Sequence, residues 1–462
     1  MTGRETLARH PLAILGALIA TASAVAFVVL IIAALAGFFE NPYAGLVVFI
    51  AIPAIFVAGL MLIPVGMWLQ ARSLQRDPSA GDWPVLDFGK SRVRRLALAI
   101  TALTAVNIVI VLLAGYGSLH WMESPTFCGQ VCHTPMQPQF TAWQAATHAN
   151  VTCVQCHVGE GARGFVHAKL AGVRQLVHVV TNAVPTPIPP AENLPPVEQT
   201  CANCHRPGHP ASADRVRVLR SYGDDEKNTE TATVLQMHMG AGSSSPKSIH
   251  WHADPAVRVE YVSTDATNET IPFVNVKYAN GQTKEFRATD AKEQSVSGGL
   301  RHTMDCRDCH NRIGHPFAPS PEQGIDDAIA AKVLSADLPF VRREAVRLVK
   351  ATYPSESGAM RAIESGLRQF YASQGGSVDQ KVTAASIVAV QGVYRRNVFP
   401  KMKVSFGSYP DLKGHTTATG CFRCHDDSHA AADGSVISAE CELCHTQVET
   451  PSPISRSTSG TP

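Results

Sequence analysis

The sequence predicts a chain in two parts: an N-terminal anchor of three transmembrane helices, and a larger domain of mostly helical or irregular structure with a small β insertion. Two observations support this division. Charged residues make up only 17% of the 462 residues, below the average for soluble proteins, and they are scarcest in the first 116. All 12 cysteines lie beyond that stretch, in six close pairs. The first part therefore suits a bilayer, and the cysteine pairs define the second.

Three uncharged runs make up the predicted anchor, residues 1–116. They cover residues 11–39, 43–69 and 96–115, and each has at least 20 residues. That length is enough for a helix to cross about 30 Å of hydrocarbon. A cleavable signal peptide is the alternative for the first run, but the apolar segment of a signal peptide is much shorter. We therefore expect all three runs to be membrane spans.

Lysine and arginine residues predict the orientation of the anchor. Arg4 and Arg9 precede the first span, and the loop at 40–42 has no basic residue. The loop between the second and third spans is rich in lysine and arginine, and the first basic residue after the third span is Arg163. Cytoplasmic loops carry the excess of basic residues. The N-terminus is therefore predicted to be cytoplasmic, and the chain beyond residue 116 to lie outside a bacterial inner membrane, in the periplasm.

Each cysteine pair is followed directly by a histidine. Five pairs have the spacing C-x2-C-H, and the first has C-x3-C-H. The six motifs are Cys128, Cys132 and His133; Cys153, Cys156 and His157; Cys201, Cys204 and His205; Cys306, Cys309 and His310; Cys421, Cys424 and His425; and Cys441, Cys444 and His445. C-x-x-C-H is the attachment signature of haem c, whose iron takes the histidine as a ligand. We therefore predict six covalently bound haems c.

Zinc sites, redox dithiols and disulfide frameworks are the alternative uses of paired cysteines. None of them requires a histidine directly after every pair. With 19 histidines in 462 residues, six such neighbours would arise by chance with a probability on the order of 10^-9. The first motif, with its extra residue, fits the signature less closely than the others. Covalent haem attachment takes place outside the cytoplasm in bacteria, in agreement with the predicted orientation.

Each haem iron needs a sixth ligand or an open position, and histidine is the common choice. We predict the ligands among residues outside the motifs, where the alternative for each is a surface or supporting histidine. The predicted ligands are His148, His178, His252, His302, His415 and His429. His250 and His315 remain alternatives. Met136, three residues after His133, is the candidate for the first iron in place of a histidine, and otherwise a packing residue.

The chain beyond the anchor divides into four segments. Residues 117–210 hold the first three motifs and a predicted helix at 161–181. Residues 211–300 are the β insertion, with strands predicted at 257–262, 271–278 and 283–287. Residues 301–448 hold the last three motifs and helices predicted at 338–351, 357–373 and 378–395. The tail, 449–462, is rich in Ser, Thr and Pro and is predicted to be disordered.

The stretch from residue 97 to 206 resembles the NapC/NirT family of membrane-anchored multihaem cytochromes c. The resemblance rests on a span that leads directly into Cys128…Cys132-His133-x2-Met136, on His148-Ala-Asn-Val-Thr-Cys153-x2-Cys156-His157, on Lys169, and on Cys201-x2-Cys204-His205. Residues 306–316 and 420–444 resemble the larger inner-membrane forms. The extra residue in the first motif, the three spans and the six motifs depart from the core family, whose simplest members have one span and which has four haems.

The resemblance implies that quinol is oxidised at the first haem, beside the membrane, and that electrons pass to a periplasmic c-type cytochrome or reductase. It makes Lys169 the best candidate to contact a quinol oxygen; the alternative is a cation that snorkels to the membrane surface. A passive electron conduit in a larger complex and a terminal reductase are the alternative functions. The net charge of +2 gives no reason to expect a nucleic-acid partner.

Overall fold

The computed structural model describes residues 10–35, 47–75, 89–159, 161–191, 194–205, 214–240, 248–374, 379–416 and 418–454. The chain forms two compact units, Met1–His133 and Thr134–Pro462. The predicted boundary after residue 116 falls inside the last anchor helix. The first cysteine motif therefore belongs to the same unit as the anchor, and not to a domain that begins at residue 117.

Three apolar helices form the anchor, as predicted. They are α1 (Pro11–Leu35), α2 (Ile52–Gln75, continuous with a π-helical turn at Val47–Ala51) and α3 (Ser91–Met122). All three are long and apolar enough to cross a membrane. The predicted end of the first span and start of the second lie outside the described residues. Helix α3 is longer than the predicted third span at both ends.

Helices α1 and α2 approach each other through glycines. A Cβ atom on Gly66 would lie 2.5 Å from the backbone nitrogen of Ala13, and one on Gly16 would lie 2.7 Å from the carbonyl oxygen of Gly59. Both distances are too short for a side chain. Small residues are the usual means of close helix packing in lipid, where hydrophobic burial supplies no driving force between helices.

The second unit begins with three helices that follow the first motif. They are α4 (His133–Gln144, whose first residue closes the first unit), α5 (Cys153–His157) and α6 (Gly161–Val180). Helix α6 agrees with the helix predicted at 161–181. Its sequence has apolar residues at helical spacing throughout, and two internal glycines do not interrupt it.

The strands of the second unit form two antiparallel sheets. They are β1 (Arg215–Tyr222), β2 (Glu230–Met237), β3 (Arg258–Ser263), β4 (Phe273–Lys277), β5 (Thr283–Ala288), β6 (Leu300–Thr303), β7 (His429–Ala430) and β8 (His445–Ile454). A short helix, α7 (Glu293–Gly298), precedes β6. The sheet orders are β1-β2-β8 and β6-β3-β4-β5-β7. The three predicted strands are confirmed as β3, β4 and β5, and Gly281, at a φ of 83°, lies in the turn between the last two.

Two sequence predictions need correction here. The β insertion at 211–300 is not a closed segment, because strands from beyond residue 300 complete both of its sheets. The tail predicted to be disordered from residue 449 continues β8 as far as Ile454, where its backbone pairs with Glu230 of β2. Edge pairing of this kind uses backbone groups, which composition does not reveal. Residues 455–462 lie outside the described residues.

Four helices pack into the main apolar core of the second unit. They are α8 (Pro321–Ala330), α9 (Val341–Lys350), α10 (Glu356–Ser373) and α11 (Gln380–Asn397), which include all three helices predicted here. Apolar residues that recur at helical spacing predict these helices from the sequence, and residues such as Ile363 and Leu367 are fully buried at that spacing. The buried Asn228 joins the β1-β2 hairpin to this core, since its amide donates to the carbonyls of Ala336 and Leu338.

Candidate haem sites

Three of the cysteine motifs form a tight turn that brings the histidine back toward the first cysteine. In the third, fourth and fifth motifs the histidine amide donates to the carbonyl of the first cysteine, over 2.8 Å at His205, 2.8 Å at His310 and 3.0 Å at His425. The second motif is a single helical turn, α5. The first differs, because its extra residue lies in a π-helical turn at Phe127–Val131. A π turn holds one more residue than an α turn, so the longer C-x3-C spacing is accommodated locally.

Five motif histidines each lie opposite a second histidine from elsewhere in the chain. The ring centres are 6.0 Å apart for His205 and His148, 6.1 Å for His157 and His315, 6.5 Å for His310 and His250, 5.9 Å for His425 and His252, and 6.1 Å for His445 and His415. Two imidazoles that bind one metal from opposite sides have ring centres about 6 Å apart, since each nitrogen lies about 2 Å from the metal. The five pairs therefore fit five haem irons, each between two histidines.

Backbone carbonyls orient several of these rings. The Nδ1 atoms of His252, His315 and His425 lie 3.0, 2.9 and 2.8 Å from the carbonyl oxygens of Ile249, Gln139 and Ser438. A carbonyl only accepts, so Nδ1 carries the proton in each case. The other nitrogen, Nε2, is then the one that can bind iron. Such outer contacts are the usual way in which a protein fixes the tautomer of a metal-binding histidine.

Burial favours the neutral form of the paired histidines. It lowers the pKa of His157, His250, His252 and His310, and it lowers the pKa of His315 to about 4. Neutral imidazole is the form that binds a metal. The electrostatic setting of these rings therefore agrees with their geometry.

Burial disfavours the thiolate form of three motif cysteines. It raises the pKa of Cys309 to about 11, of Cys424 to about 12 and of Cys444 to about 11. Redox-active dithiols normally have a lowered thiol pKa. Within the part of the chain that the structure describes, no group of three or more His, Cys, Asp or Glu side chains is placed to hold a metal ion. Pairs of histidines opposite each other suit haem iron instead.

The structure does not bring three of the predicted ligands opposite a motif histidine. His178 is exposed in the last turn of α6. His302 has its Nε2 atom 2.8 Å from the hydroxyl oxygen of Ser263. Both ring nitrogens of His429 are occupied, Nδ1 by Asp426 at 2.8 Å and Nε2 by the carbonyl of Ile271 at 2.7 Å.

Two histidines that the sequence analysis held only as alternatives lie opposite motif histidines instead. His250 and His315 pair with motif histidines 60 and 158 residues away in the sequence. Closeness in sequence to a motif therefore does not decide which histidine lies opposite a motif histidine. His250 and His252 flank Trp251 in the sequence, and they lie opposite two different motif histidines, His310 and His425.

The two residues predicted to act on quinol lie on different helices, α4 and α6. Met136 is half-buried on α4, one turn after His133. Residues three apart on a helix share a face, so Met136 and His133 can reach the same side of a haem. Lys169 is half-buried on α6, and its ammonium group lies 5.0 Å from the ring centre of Phe165.

Comparison with known proteins agrees with this geometry. Residues 90–188 match the sequence model of the NapC/NirT cytochrome c family, N-terminal region. The chain is also 35% identical to the cytochrome c-type protein ImcH of Geobacter sulfurreducens over 461 residues, which are 97% of this chain and 90% of that protein. The chain belongs to the NapC/NirT family of cytochromes c. This cytochrome is therefore a membrane-anchored electron-transfer protein with covalently bound haem c.

A second relative matches a smaller share of the chain. Cytochrome c-552 of Aliarcobacter butzleri is 26% identical over 129 residues, 27% of this chain and 23% of that protein. No solved structure matches the chain. The match to ImcH, in contrast, extends over the anchor, both sheets and the four-helix core, so these belong to a shared architecture.

Proposed function

We propose that this cytochrome oxidises quinol at the haem of its first motif and passes the electrons, through the other haems, to a redox partner outside the cytoplasm. The observation that carries the proposal is the position of the first motif. Cys128 lies six residues after the end of α3 and belongs to the same compact unit as the three membrane helices. A quinol stays near the bilayer because its apolar tail is costly to expose to water.

Aromatic contacts tie the first motif to two of the membrane helices. The ring of Phe127, next to Cys128, lies 4.8 Å from the ring of Trp121 at the end of α3. Trp121 in turn lies 5.9 Å from Phe49, in the π-helical turn before α2. The hydroxyl of Ser118 donates to the carbonyl of Phe49 as well. These contacts support a first haem that is held at the ends of the second and third spans.

The chemistry follows from this position. Oxidation of one quinol releases two electrons and two protons, and haem iron takes up one electron at a time. Lys169 would donate a hydrogen bond to a quinol oxygen and hold it in place. The thioether of Met136 would lie on the same side of the first haem as His133. The protons would leave to the water outside, in keeping with the distribution of arginine around the spans.

The five histidine pairs favour electron transfer over catalysis of substrate reduction at those haems. With His252 opposite His425, and the other four pairs alike, irons held between these rings would have no open position for a substrate. A terminal reductase would need one. We therefore place six haems in the chain, one at the membrane and five that conduct electrons outward.

Three experiments test the proposal. The purified full-length protein, without partners, is mixed with menaquinol or ubiquinol, and reduction of its haems is followed by absorbance. Reduction by quinol alone supports the proposal, and reduction only after a partner is added supports a conduit.

Reporter fusions after residue 85 and after residue 450 test the orientation. Activity in the cytoplasm for the first and outside for the second is expected, and intact mass should show six haems.

A further inference from the structure

Helix α6 presents its large apolar side chains to the outside. Val166, Leu170, Val173, Val177 and Val180 follow one another at intervals of four, three, four and three residues, so they form one stripe along the helix. Between 52% and 76% of each of these residues is exposed. At 1.5 Å per residue the stripe is about 21 Å long.

The half-buried residues of the same helix lie in its first half, and those directly opposite the stripe are small. Gly164, Ala168 and Ala171 share this face at intervals of four and three residues, and Phe165 is a half-buried large residue at its side. A Cβ atom on Gly164 would lie 2.1 Å from the carbonyl oxygen of Gly159, so the backbone approaches closely there. A helix of a water-soluble domain normally buries its large apolar residues and exposes its small or polar ones. Helix α6 has the opposite arrangement.

The charges on α6 indicate what covers the stripe. The helix contains no Asp or Glu. At about 100° per residue, Arg174, His167 and His178 lie beside one edge of the stripe, and Lys169 lies beside the other. A helix with an apolar face bordered by basic residues is typical of segments that lie in the surface of an anionic membrane.

We infer that α6 is a second membrane contact of this cytochrome, with its apolar stripe in the headgroup region of an anionic bilayer. The chain is already anchored in a membrane, and 38 residues separate the end of α3 from the start of α6, so a bilayer is within reach. The inference requires only the anchor, and it does not depend on quinol oxidation.

The test places a spin label on the stripe and a matched label off it. Val173→Cys and Gln175→Cys are both exposed positions in the middle of α6, on opposite faces. The full-length holoprotein carrying either label is reconstituted in nanodiscs of phosphatidylethanolamine and phosphatidylglycerol. Accessibility to molecular oxygen and to a water-soluble nickel complex is measured by power saturation. The label at 173 should be more accessible to oxygen, and the label at 175 should be more accessible to the nickel complex. The ratio of oxygen accessibility to nickel accessibility should differ several-fold between the two positions.

A second comparison tests the role of charge. In phosphatidylcholine alone, or with Arg174→Gln in the anionic nanodiscs, the label at 173 should become more accessible to nickel. Equal nickel accessibility at 173 and 175 would overturn the inference. Dipolar broadening between labels would show that a second copy covers the stripe, and loss of haem on labelling 173 would show that a haem covers it. Either result would also contradict the inference that a lipid surface covers the stripe, whatever the outcome of the quinol assay.

Discussion

The guanidinium of Arg423 donates a hydrogen bond of 2.7 Å to the backbone carbonyl of Asp308, and this bond joins the fifth haem motif to the fourth. Both residues lie between the two cysteines of their motifs. Arg423 is only 7% exposed, and its other nitrogens donate to the carbonyls of Gly420 and Asn268. A buried cation is thus held between two haem attachment turns.

Replacement of Arg423 by Gln should lower the reduction potential of a neighbouring haem. A nearby positive charge disfavours the oxidised, more positive iron, so its removal favours oxidation. With an effective dielectric constant of about 20, the expected shift is on the order of 50 mV. Potentiometric titration followed by absorbance would measure it. Arg423→Lys, which keeps the charge, should shift the potential much less.

The control for this prediction is Arg307→Gln, which removes an arginine from between the cysteines of the fourth motif. The side chain of Arg307 is paired with Asp305, and about a third of it is exposed. Its charge is therefore largely compensated, and its loss should leave the potentials nearly unchanged. If Arg423→Lys and Arg423→Gln gave the same shift, the geometry of the guanidinium and not its charge would be responsible.

Removal of a paired histidine should open one haem iron. In His252→Ala the iron held by His425 would lose its sixth ligand, since these rings face each other at 5.9 Å. We expect a high-spin signal in the electron paramagnetic resonance spectrum and binding of one equivalent of carbon monoxide. His302→Ala is the matched control, because Nε2 of His302 contacts Ser263 instead. A high-spin haem in the control, with none in His252→Ala, would contradict the pairing.

The anchor and the attachment motifs could be predicted from the sequence because both are local. Twenty apolar residues specify a span by themselves, and a histidine next to a cysteine pair specifies attachment. The sixth ligands could not be predicted in the same way. His148 and His205 come from the same half of the chain, but His252 and His425 are brought together by the five-stranded sheet, to which a strand at His429 contributes. The approach of His252 to His425 therefore depends on pairing between strands that are far apart in the sequence.

The same reasoning explains His429. Its place four residues after His425 predicts a ligand, yet its side chain is only 2% exposed and hydrogen-bonded through both ring nitrogens. Its contact with Ile271 fixes β7 near the loop that precedes β4. A histidine near a haem motif therefore serves the sheet that positions other ligands, and the sequence gives no sign of the difference.

The loop between β3 and β4 should lose stability in acid. Burial raises the pKa of Asp265, but hydrogen bonds from the Thr267 hydroxyl and from the amides of Glu269, Thr270 and Thr267 outweigh it and lower that pKa to about 2. Because the pKa of Asp265 is lower in the folded chain than in the unfolded chain, its carboxylate stabilises the fold at pH values above the unfolded pKa of about 4. This stabilisation is lost as the pH falls from about 4 to about 2. Asp265→Asn should cost about 1–2 kcal/mol at neutral pH.

Thermal unfolding followed by circular dichroism at several pH values would test this. The difference in melting temperature between Asp265→Asn and the unchanged protein should be present at pH 7 and disappear near pH 2. Glu285→Gln, an exposed residue on β5, serves as the control and should have little effect at either pH. A difference that persists unchanged into acid would mean that Asp265 acts through its shape and not through its charge.

The last prediction concerns the place where electrons enter. Met136 shares a helix face with His133, so Met136→Ala should slow the reduction of all the haems by quinol while reduction by dithionite stays complete. Met136→Leu keeps most of the volume and removes the sulfur, and it should be as slow as alanine if the thioether binds the iron or the quinol. Lys169→Ala should raise the quinol concentration needed for half-maximal rate, because it removes a hydrogen-bond donor. Lys381→Ala, on the exposed start of α11, is the control and should change neither quantity. Normal rates with quinol in both Met136→Ala and Lys169→Ala would move the site of oxidation away from the first motif, to a partner subunit, and the chain would then be a conduit for electrons that another protein supplies.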